Sequence, residues 1–466
     1  MPNDNTPRPN MPLDTLSSLH KTAIQMATPA HNFFLEISPN IYSSGEPVDI
    51  PSEEIFKLLK QKLPGPSSSQ SWTPPNVAEC AAHLEFLEVI YDMREKVLAS
   101  NPIGLAMRYE SKYKPDDLTI EAWHKGKWAK YVEFAVVRFL TWRETLVSNA
   151  VTYEVLPYLP SLDILMVWHS VLLNPATFRK NYKREPLYKI KFPWEAIHSH
   201  IDKNSWGFSH SQDDRNNFER HTGLDHDLFK TLEDWPKDPV RAPKQQYIGL
   251  KDFRFGKNAG AANPLNLQHS KVLALYYKKF LHAEPTLSEA LRDAVLRQGK
   301  FIDKMHDFLW IRSPALEGTL QRAIGRYENF CELMRRVPSV MIIPMQDIEL
   351  VWHTHQCAAA QYVSDTQARV GRFINHDDAI RPGKLNDGFE RTARLYREHF
   401  SKDYSICGCW DCELLASAMK DVLNSETDMG TVVDVDHVIQ KQQKLMKWYR
   451  AVEIKRRKHE VLPSWE

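Results

Sequence analysis

A mainly α-helical protein made of two related halves is the fold this sequence predicts, on three observations. First, one stretch occurs twice: Pro160 to Phe178 (PSLDILMVWHSVLLNPATF) and Pro344 to Tyr362 (PMQDIELVWHTHQCAAAQY) align without a gap. Pro160 falls on Pro344, Asp163 on Asp347, Val167 on Val351, Trp168 on Trp352 and His169 on His353. Upstream, Ala135, Arg138, Phe139 and Trp142 answer Ala323, Arg326, Tyr327 and Phe330, with a small length difference before the proline. An offset of roughly 184 residues is too long for a solenoid unit and suits an internal duplication of a domain. Second, apolar residues recur at helical spacing through most long segments. Third, strand-type alternation is scarce.

Taken in order, the polar, proline-containing residues 1–25 read as a disordered N-terminus. An N-terminal helical repeat domain is expected over 26–202. Ser52-Glu53-Glu54 caps a short helix, and the run 64–75 (PGPSSSQSWTPP) is a loop. Asn76 is a helix cap, followed by Val77, Cys80, Ala81, Leu84, Leu87 and Tyr91 at helical spacing. A further helix covers Trp123 to Val147, then comes the first repeat helix and a connection through Phe192-Pro193-Trp194. Residues 203–265 read as an irregular connecting segment with one short helix near Asp225 to Glu233. The C-terminal helical repeat domain, 266–425, holds helices at Asn266–Leu281, Leu287–Trp310 and Leu316–Arg336. The second repeat helix follows, then a helix from Asn386 to Phe400 and another from Glu413. A basic helix fills 426–466.

Composition narrows the class. With 42% hydrophobic and 26% charged residues, the 466-residue chain has the profile of a soluble globular protein. Its net charge of +1 offers no global field for nucleic acid or membrane. No apolar run is long enough for membrane insertion, and the N-terminus lacks the apolar core of a signal peptide. Six cysteines in so long a chain are no disulfide framework, so a reducing, cytoplasmic setting is the expectation. Phosphate loops, dinucleotide turns, nucleophile elbows and H-E-x-x-H helices are all missing from the sequence.

Both repeat stretches read as helices, with proline in the first turn and an aspartate near the positive end of the dipole. Ile164, Val167 and Val171 share one face, as do Ile348, Val351 and His355, so His355 stands in a slot that is apolar in the first copy. His353 points about 160° away from it and shares a face with Cys357. A histidine in an apolar slot needs a partner. His376-Asp377-Asp378, without a counterpart in the first copy, is the expected source. Two imidazoles and a carboxylate suit iron, zinc or manganese, and a metal-dependent enzyme using such a His/His/Asp site is one reading. The plainer one is a buried His355 paired with an aspartate. The Trp-His pairs, kept in both copies, read as packing elements.

Cys407, Cys409 and Cys412 form a C-x-C-x-x-C cluster whose thiolates favour zinc or copper(I). A fourth ligand is expected from His399, His353, Cys357 or His376. The alternative is free thiols or one reversible disulfide. The segment Lys441 to His459 carries eight Lys or Arg and an apolar stripe of Leu445, Trp448, Tyr449 and Val452. It reads as a helix that packs its stripe on the body, or one that meets a partner or nucleic acid.

The run Asp347-Ile348-Glu349-Leu350-Val351-Trp352-His353-Thr354-His355-Gln356, with Tyr362 and His376-Asp377-Asp378 after it, resembles the glycine-rich domain-containing protein family. The C-x-C-W-x-C-E of Cys407 to Glu413 is similar to its fungal branch. The resemblance covers roughly 75–415 and implies a soluble protein with no assigned reaction, associated in plants with development and stress responses. The chain departs from the plant pattern in lacking the glycine-rich region, having 17 glycines in all. An interaction or regulatory protein with a protein partner and a structural metal in its second half is therefore the leading expectation.

Overall fold

The structure, a computed structural model, describes residues 51–60, 72–101, 120–148, 156–234, 275–283, 285–376, 382–425, 435–458 and 460–462. Helices dominate them. In chain order they are α1 (Glu53–Phe56), α2 (Val77–Ala99), α3 (Ile120–Ser148), α4 (Leu162–Leu172), α5 (Pro175–Tyr182), α6 (Trp194–Ser199), α7 (Gln212–Thr222) and α8 (Leu228–Asp234). After a π-helical turn at Tyr276–Ala283 come α9 (Pro285–Phe308), α10 (Leu316–Arg336), α11 (Gln346–Gln356), α12 (Ala359–Val370), α13 (Pro382–Phe400), α14 (Trp410–Ser425) and α15 (Val435–Arg457). One antiparallel pair, β1 (Ile201–Asp202) with β2 (Gly207–Phe208), is the sheet among the described residues. No helix among them is long and apolar enough to cross a membrane.

The chain divides into two compact units, each discontinuous in sequence. The larger comprises Phe56–His306 and Ala323–Tyr404, the smaller Met1–Ile55, Asp307–Arg322 and Ser405–Glu466. This cuts across the halves 26–202 and 266–425, because both repeat helices fall in the larger unit. The reason is α2. It comes from the first half yet packs on α11 of the second as well as on α3 and α6. Its N-terminus carries a full capping box: Asn76 accepts the Glu79 N–H, and Glu79 accepts the Asn76 N–H, each at 2.9 Å. Buried on nearly every side, α2 brings two carboxylates inside, each met by an imidazole: Glu85 by His198 at 2.6 Å and Glu88 by His306 at 2.8 Å.

The segment expected to be an irregular connection, 203–265, is folded over its described part. Ser211 caps α7 by accepting the Asp214 N–H, and Gly223 ends it in the left-handed region at φ 68°. Composition hid this helix, since Phe218 is its one buried side chain. Residues 235–265 and the N-terminal 1–25 lie outside the described residues. Each repeat stretch, read from sequence as one helix, is two. The first copy breaks before Pro175, which starts α5; the second breaks at Cys357-Ala358. The linking residues adopt nearly the same backbone angles, φ −118° and ψ 68° at Asn174, φ −115° and ψ 67° at Ala358.

Each repeat helix is anchored by one arginine. Arg138, fully buried, donates from Nε to Asp163 at 2.7 Å and from its Nη atoms to Ser161 Oγ and the carbonyls of Asp225 and His226. Arg326 donates from Nε to Asp347 at 2.5 Å and from its Nη atoms to the carbonyls of Asp403 and Tyr404. Above each pair an aromatic ring packs on the repeat tryptophan, Trp142 on Trp168 and Phe330 on Trp352, both at 5.7 Å between centroids.

Within the smaller unit α14 packs on α15. The α15 stripe is used in this contact: Trp448 and Val452 are buried, with Tyr449 packed against them. The basic face is partly neutralised by buried Glu453, which accepts from Arg456 at 3.0 Å and Arg457 at 3.1 Å.

Replacing Arg138 with leucine leaves the Asp163 carboxylate buried without its charge partner. We expect Arg138→Leu to cost about 3–5 kcal/mol in urea unfolding, with part recovered in the Arg138→Leu/Asp163→Leu double variant. A loss below about 1 kcal/mol would mean that the pair does not anchor α4.

Candidate functional site

Four buried imidazoles meet in the larger unit as two pairs. His83 of α2 faces His169 of α4, Nε2 to Nε2, at 2.9 Å. His353 of α11 faces His376, beyond α12, in the same way at 3.2 Å. In each pair one nitrogen carries a proton and the other a lone pair. The remaining ring contacts decide which. The Thr354 hydroxyl donates to the Leu350 carbonyl at 2.8 Å, so its oxygen accepts the Nδ1–H of His83, also at 2.8 Å. His376 donates its Nδ1–H to the Leu173 carbonyl at 2.8 Å. As neutral rings, His83 and His376 thus present bare Nε2 atoms, and His169 and His353 supply the Nε2–H. Burial, reinforced by the neighbouring imidazoles, holds His83 and His353 well below the ordinary histidine value, and burial brings His169 down to about 3.

His355 goes elsewhere. Its Nδ1 meets the Tyr327 hydroxyl at 2.9 Å and its Nε2 meets Asp365 at 3.0 Å. The expected set of His355 with His376 is therefore not formed, and His353 takes that place. Two residues on one helix point to different sides, and the slot of Val171 looks toward α10 and α12. Asp377 and Asp378 lie outside the described residues. Glu349, which sequence reading passed over, is one turn before His353. Its carboxylate lies 3.8 Å from His353 Nε2, and ligand atoms of Glu349, His353 and His376 all fall within 4.8 Å of one another. The i,i+4 spacing of Glu349 and His353 was the signal available. Tyr362 steadies this corner by accepting Trp352 Nε1–H at 2.8 Å and donating to the Ile374 carbonyl at 2.9 Å, two residues before His376. In the first copy Phe178 stands there, and Trp168 Nε1 is buried without a partner.

The three cysteines do converge. Sγ atoms of Cys407, Cys409 and Cys412 lie within 4.8 Å of one another in the smaller unit. Gly408, at φ 71°, makes the turn between them, and a Cβ there would press on Phe308 and Trp310 at 3.2 and 3.3 Å. Two indoles pin the turn: Trp310 donates to the Gly408 carbonyl at 2.7 Å and Trp410 to the Phe308 carbonyl at 2.9 Å. Hydrogen bonds from Cys407 and Cys409 push the Cys412 thiol far up. Among the described residues no histidine or further cysteine joins the three. Cys357, one of the expected fourth ligands, is buried in the larger unit, where burial and the charge of Glu79 raise its thiol.

Comparison with known proteins fits these residues. Residues 244–365, which contain the repeat helix α11 with Glu349, His353 and His355, match the model of the glycine-rich domain-containing protein-like family. Over these residues the chain is similar to the GRDP-like family. The chain is 34% identical over 328 residues to glycine-rich domain-containing protein 1 of Arabidopsis thaliana, a match covering 67% of this chain and 34% of that protein. It is 34% identical over 97 residues to glycine-rich domain-containing protein 2 of the same plant, covering 19% of this chain and 12% of that protein. The chain thus spans about a third or less of the length of these relatives. No solved structure matches.

The larger unit also holds a cleft of about 980 Å³, lined among others by Asn76, Glu79, Trp194, His200, His355 and Gln361. His353 and His376 are not among its lining residues. The nitrogen pair and the space for a ligand are in different places.

Two tests follow. Tyr362→Phe removes one acceptor and one donor from a buried chain and should cost about 1–3 kcal/mol in thermal or urea unfolding. An unchanged midpoint would show Trp352 and Ile374 to be satisfied otherwise. For acid, His83 and His169 are neutral in the fold and titrate near 6.5 when unfolded. The unfolded chain takes protons first, so their contribution is complete above about pH 6.5 and is lost as pH falls toward 3. Stability should decline by up to about 1.4 kcal/mol per pH unit for each ring, and His169→Gln should flatten that decline. An equal slope in His169→Gln would assign the acid limb to other groups.

Proposed function

We propose that this GRDP-like chain is a non-catalytic interaction or regulatory protein, with a structural metal held by Cys407, Cys409 and Cys412. The observation that carries this reading is the convergence of the three sulfurs on a turn that two tryptophans and a left-handed glycine fix in advance. Without a cation, hydrogen bonds within the cluster raise the Cys409 and Cys412 thiols, and a soft cation would reverse that by favouring thiolates. Zinc would take an outside ligand in its fourth position, and copper(I) is satisfied by fewer. The ion would tie the turn to the first turn of α14, where Cys412 lies beside Asp411, the ion-pair partner of Arg450 on α15. The enzyme alternative, built on His355, His376 and an aspartate, has less support, since His355 lines the cleft but meets Tyr327 and Asp365, and His376 meets His353 away from that lining.

The same reading includes three finer statements. The equal length and offset of α4 and α11, with their matching arginine–aspartate anchors, support descent from an internal duplication. The C-x-C-W-x-C-E run supports a place in the fungal branch of the family. Cysteines that form no disulfide among the described residues suit a reducing cytoplasmic setting.

Metal analysis of reduced, full-length protein by native mass spectrometry tests the site. We expect zinc or copper in the wild type, and loss of that metal with a lower melting temperature in the Cys409→Ser/Cys412→Ser variant. Full metal retention in the variant would move the ion elsewhere. Metal loss with an unchanged melting temperature would replace a structural role by a carrier one.

A further inference from the structure

We propose that Glu349, His353 and His376 form a second metal site, for a divalent first-row cation of zinc-like chemistry, inside the larger unit. It is independent of the thiolate site and differs from it in donor type.

The geometry is close to that of an occupied site. Bonds of about 2.0–2.1 Å at tetrahedral angles put two zinc-bound nitrogens roughly 3.3 Å apart. His353 Nε2 and His376 Nε2 stand 3.2 Å apart, and the Glu349 oxygen is 3.8 Å from His353 Nε2. Glu349 and His353 reach the point from successive turns of α11, and His376 comes in from the chain after α12. The support expected behind a ligating histidine is also present. His376 is oriented through its Nδ1–H to the Leu173 carbonyl, which turns its Nε2 lone pair toward His353.

Two buried polar groups point the same way. Among the described residues His353 Nδ1 has no hydrogen-bond partner, and neither does the amide of Gln356, nitrogen or oxygen, although the residue is 1% exposed. Gln356 follows His353 by three residues and Glu349 by seven, so all three lie along one face of α11. A buried amide left unsatisfied among the described residues is costly in a core, and Gln356 lies on the face of α11 that carries Glu349 and His353. Loading asks one rearrangement: the proton of His353 moves from Nε2 to Nδ1, so that Nε2 can bind. Charge does not change in that step. The Glu349 side chain is 24% exposed, against 1% for His353, which gives the ion a path from solvent past the carboxylate.

Two neutral imidazoles and one carboxylate select the cation. Calcium and magnesium want more oxygens, and copper(I) wants sulfur. Zinc, or cobalt(II) as its spectroscopic substitute, fits. The competing account is a metal-free imidazole pair joined by an N–H···N bond, as His83 and His169 are.

Cobalt(II) titration of chelator-stripped, full-length protein separates the accounts. A cysteine site gives thiolate-to-cobalt charge-transfer absorption, and the Glu349/His353/His376 site gives weak d–d bands without it. With Cys407, Cys409 and Cys412 all changed to serine, we expect one equivalent of cobalt to remain bound, free of charge-transfer absorption and displaceable by zinc. Glu349→Gln on that background should weaken binding about 100-fold. Because Glu349 is partly exposed, the melting temperature of the metal-free protein should stay the same. In the chain with its cysteines intact, Glu349→Gln should lower the cobalt count by one and leave the charge-transfer band, a comparison that stands even where the serine protein does not fold. A folded serine protein that binds no cobalt, or equal affinity and equal stoichiometry with and without Glu349, overturns the proposal. Either result leaves the thiolate site untouched, because that site is read separately in the charge-transfer band.

Discussion

A guanidinium at zero exposure has to place its donors inside the protein, and the larger unit is arranged around that demand. Arg138 spends its donors on Asp163, on Ser161 before α4 and on two successive carbonyls, Asp225 and His226. One side chain on α3 thereby fixes the start of α4 and the turn between α7 and α8. Arg326 does the same from α10, holding Asp347 at the start of α11 and the carbonyls of Asp403 and Tyr404. Breaking such a pair costs far more than a surface ion pair contributes, because the remaining charge stays buried. The direction of α4 and α11 follows from these anchors. His169 and His353, two turns along, are placed by them.

The differences between the two copies form a coherent set. Where α11 carries His355, α4 carries Val171. The two partners of His355, Tyr327 and Asp365, stand opposite Phe139 and Asn181 by the same alignment. Tyr362, which satisfies Trp352, stands opposite Phe178, and Glu349 stands opposite buried Leu165. Polar groups appear in the second copy with their partners, as burial requires. The first copy keeps the apolar solution at each of these places. On the proposed duplication, one copy retains packing and the other acquires donors. The histidine pairs fit that division. Among the described residues no carboxylate joins His83 and His169 in a ligand group, whereas His353 and His376 have Glu349 within reach.

The helical class was legible because periodicity and capping are local. Asn76 announces α2, and the ungapped repeat announces α4 and α11 with their boundaries offset together. What escaped was set by long-range packing or by weak local signal. α7 is so polar that one phenylalanine carries its burial, although Ser211 and Gly223 mark both ends. The partition into units escaped because α2 crosses between halves through a side-chain contact, His83 to Thr354, that no periodicity reveals. The cysteine cluster was readable because its three members sit within six residues of a turn. The pairing of His353 rather than His355 with His376 depends on where α12 and the chain after it return. Helical phase separated the two rings but could not say which one His376 would meet.

The two candidate sites would answer to different chemistry. In the smaller unit hydrogen bonds among the cysteines push the Cys409 and Cys412 thiols up, so a soft cation must displace hydrogen there to bind. In the larger unit burial holds His353 well below the ordinary histidine value, so that ring is neutral at physiological pH. A cation there competes with an N–H···N hydrogen bond instead of with protons. Thiolate loading should therefore weaken as pH falls, because Cys409 and Cys412 must give up protons to bind. The same burial that makes the core acid-sensitive keeps its nitrogens available as ligands.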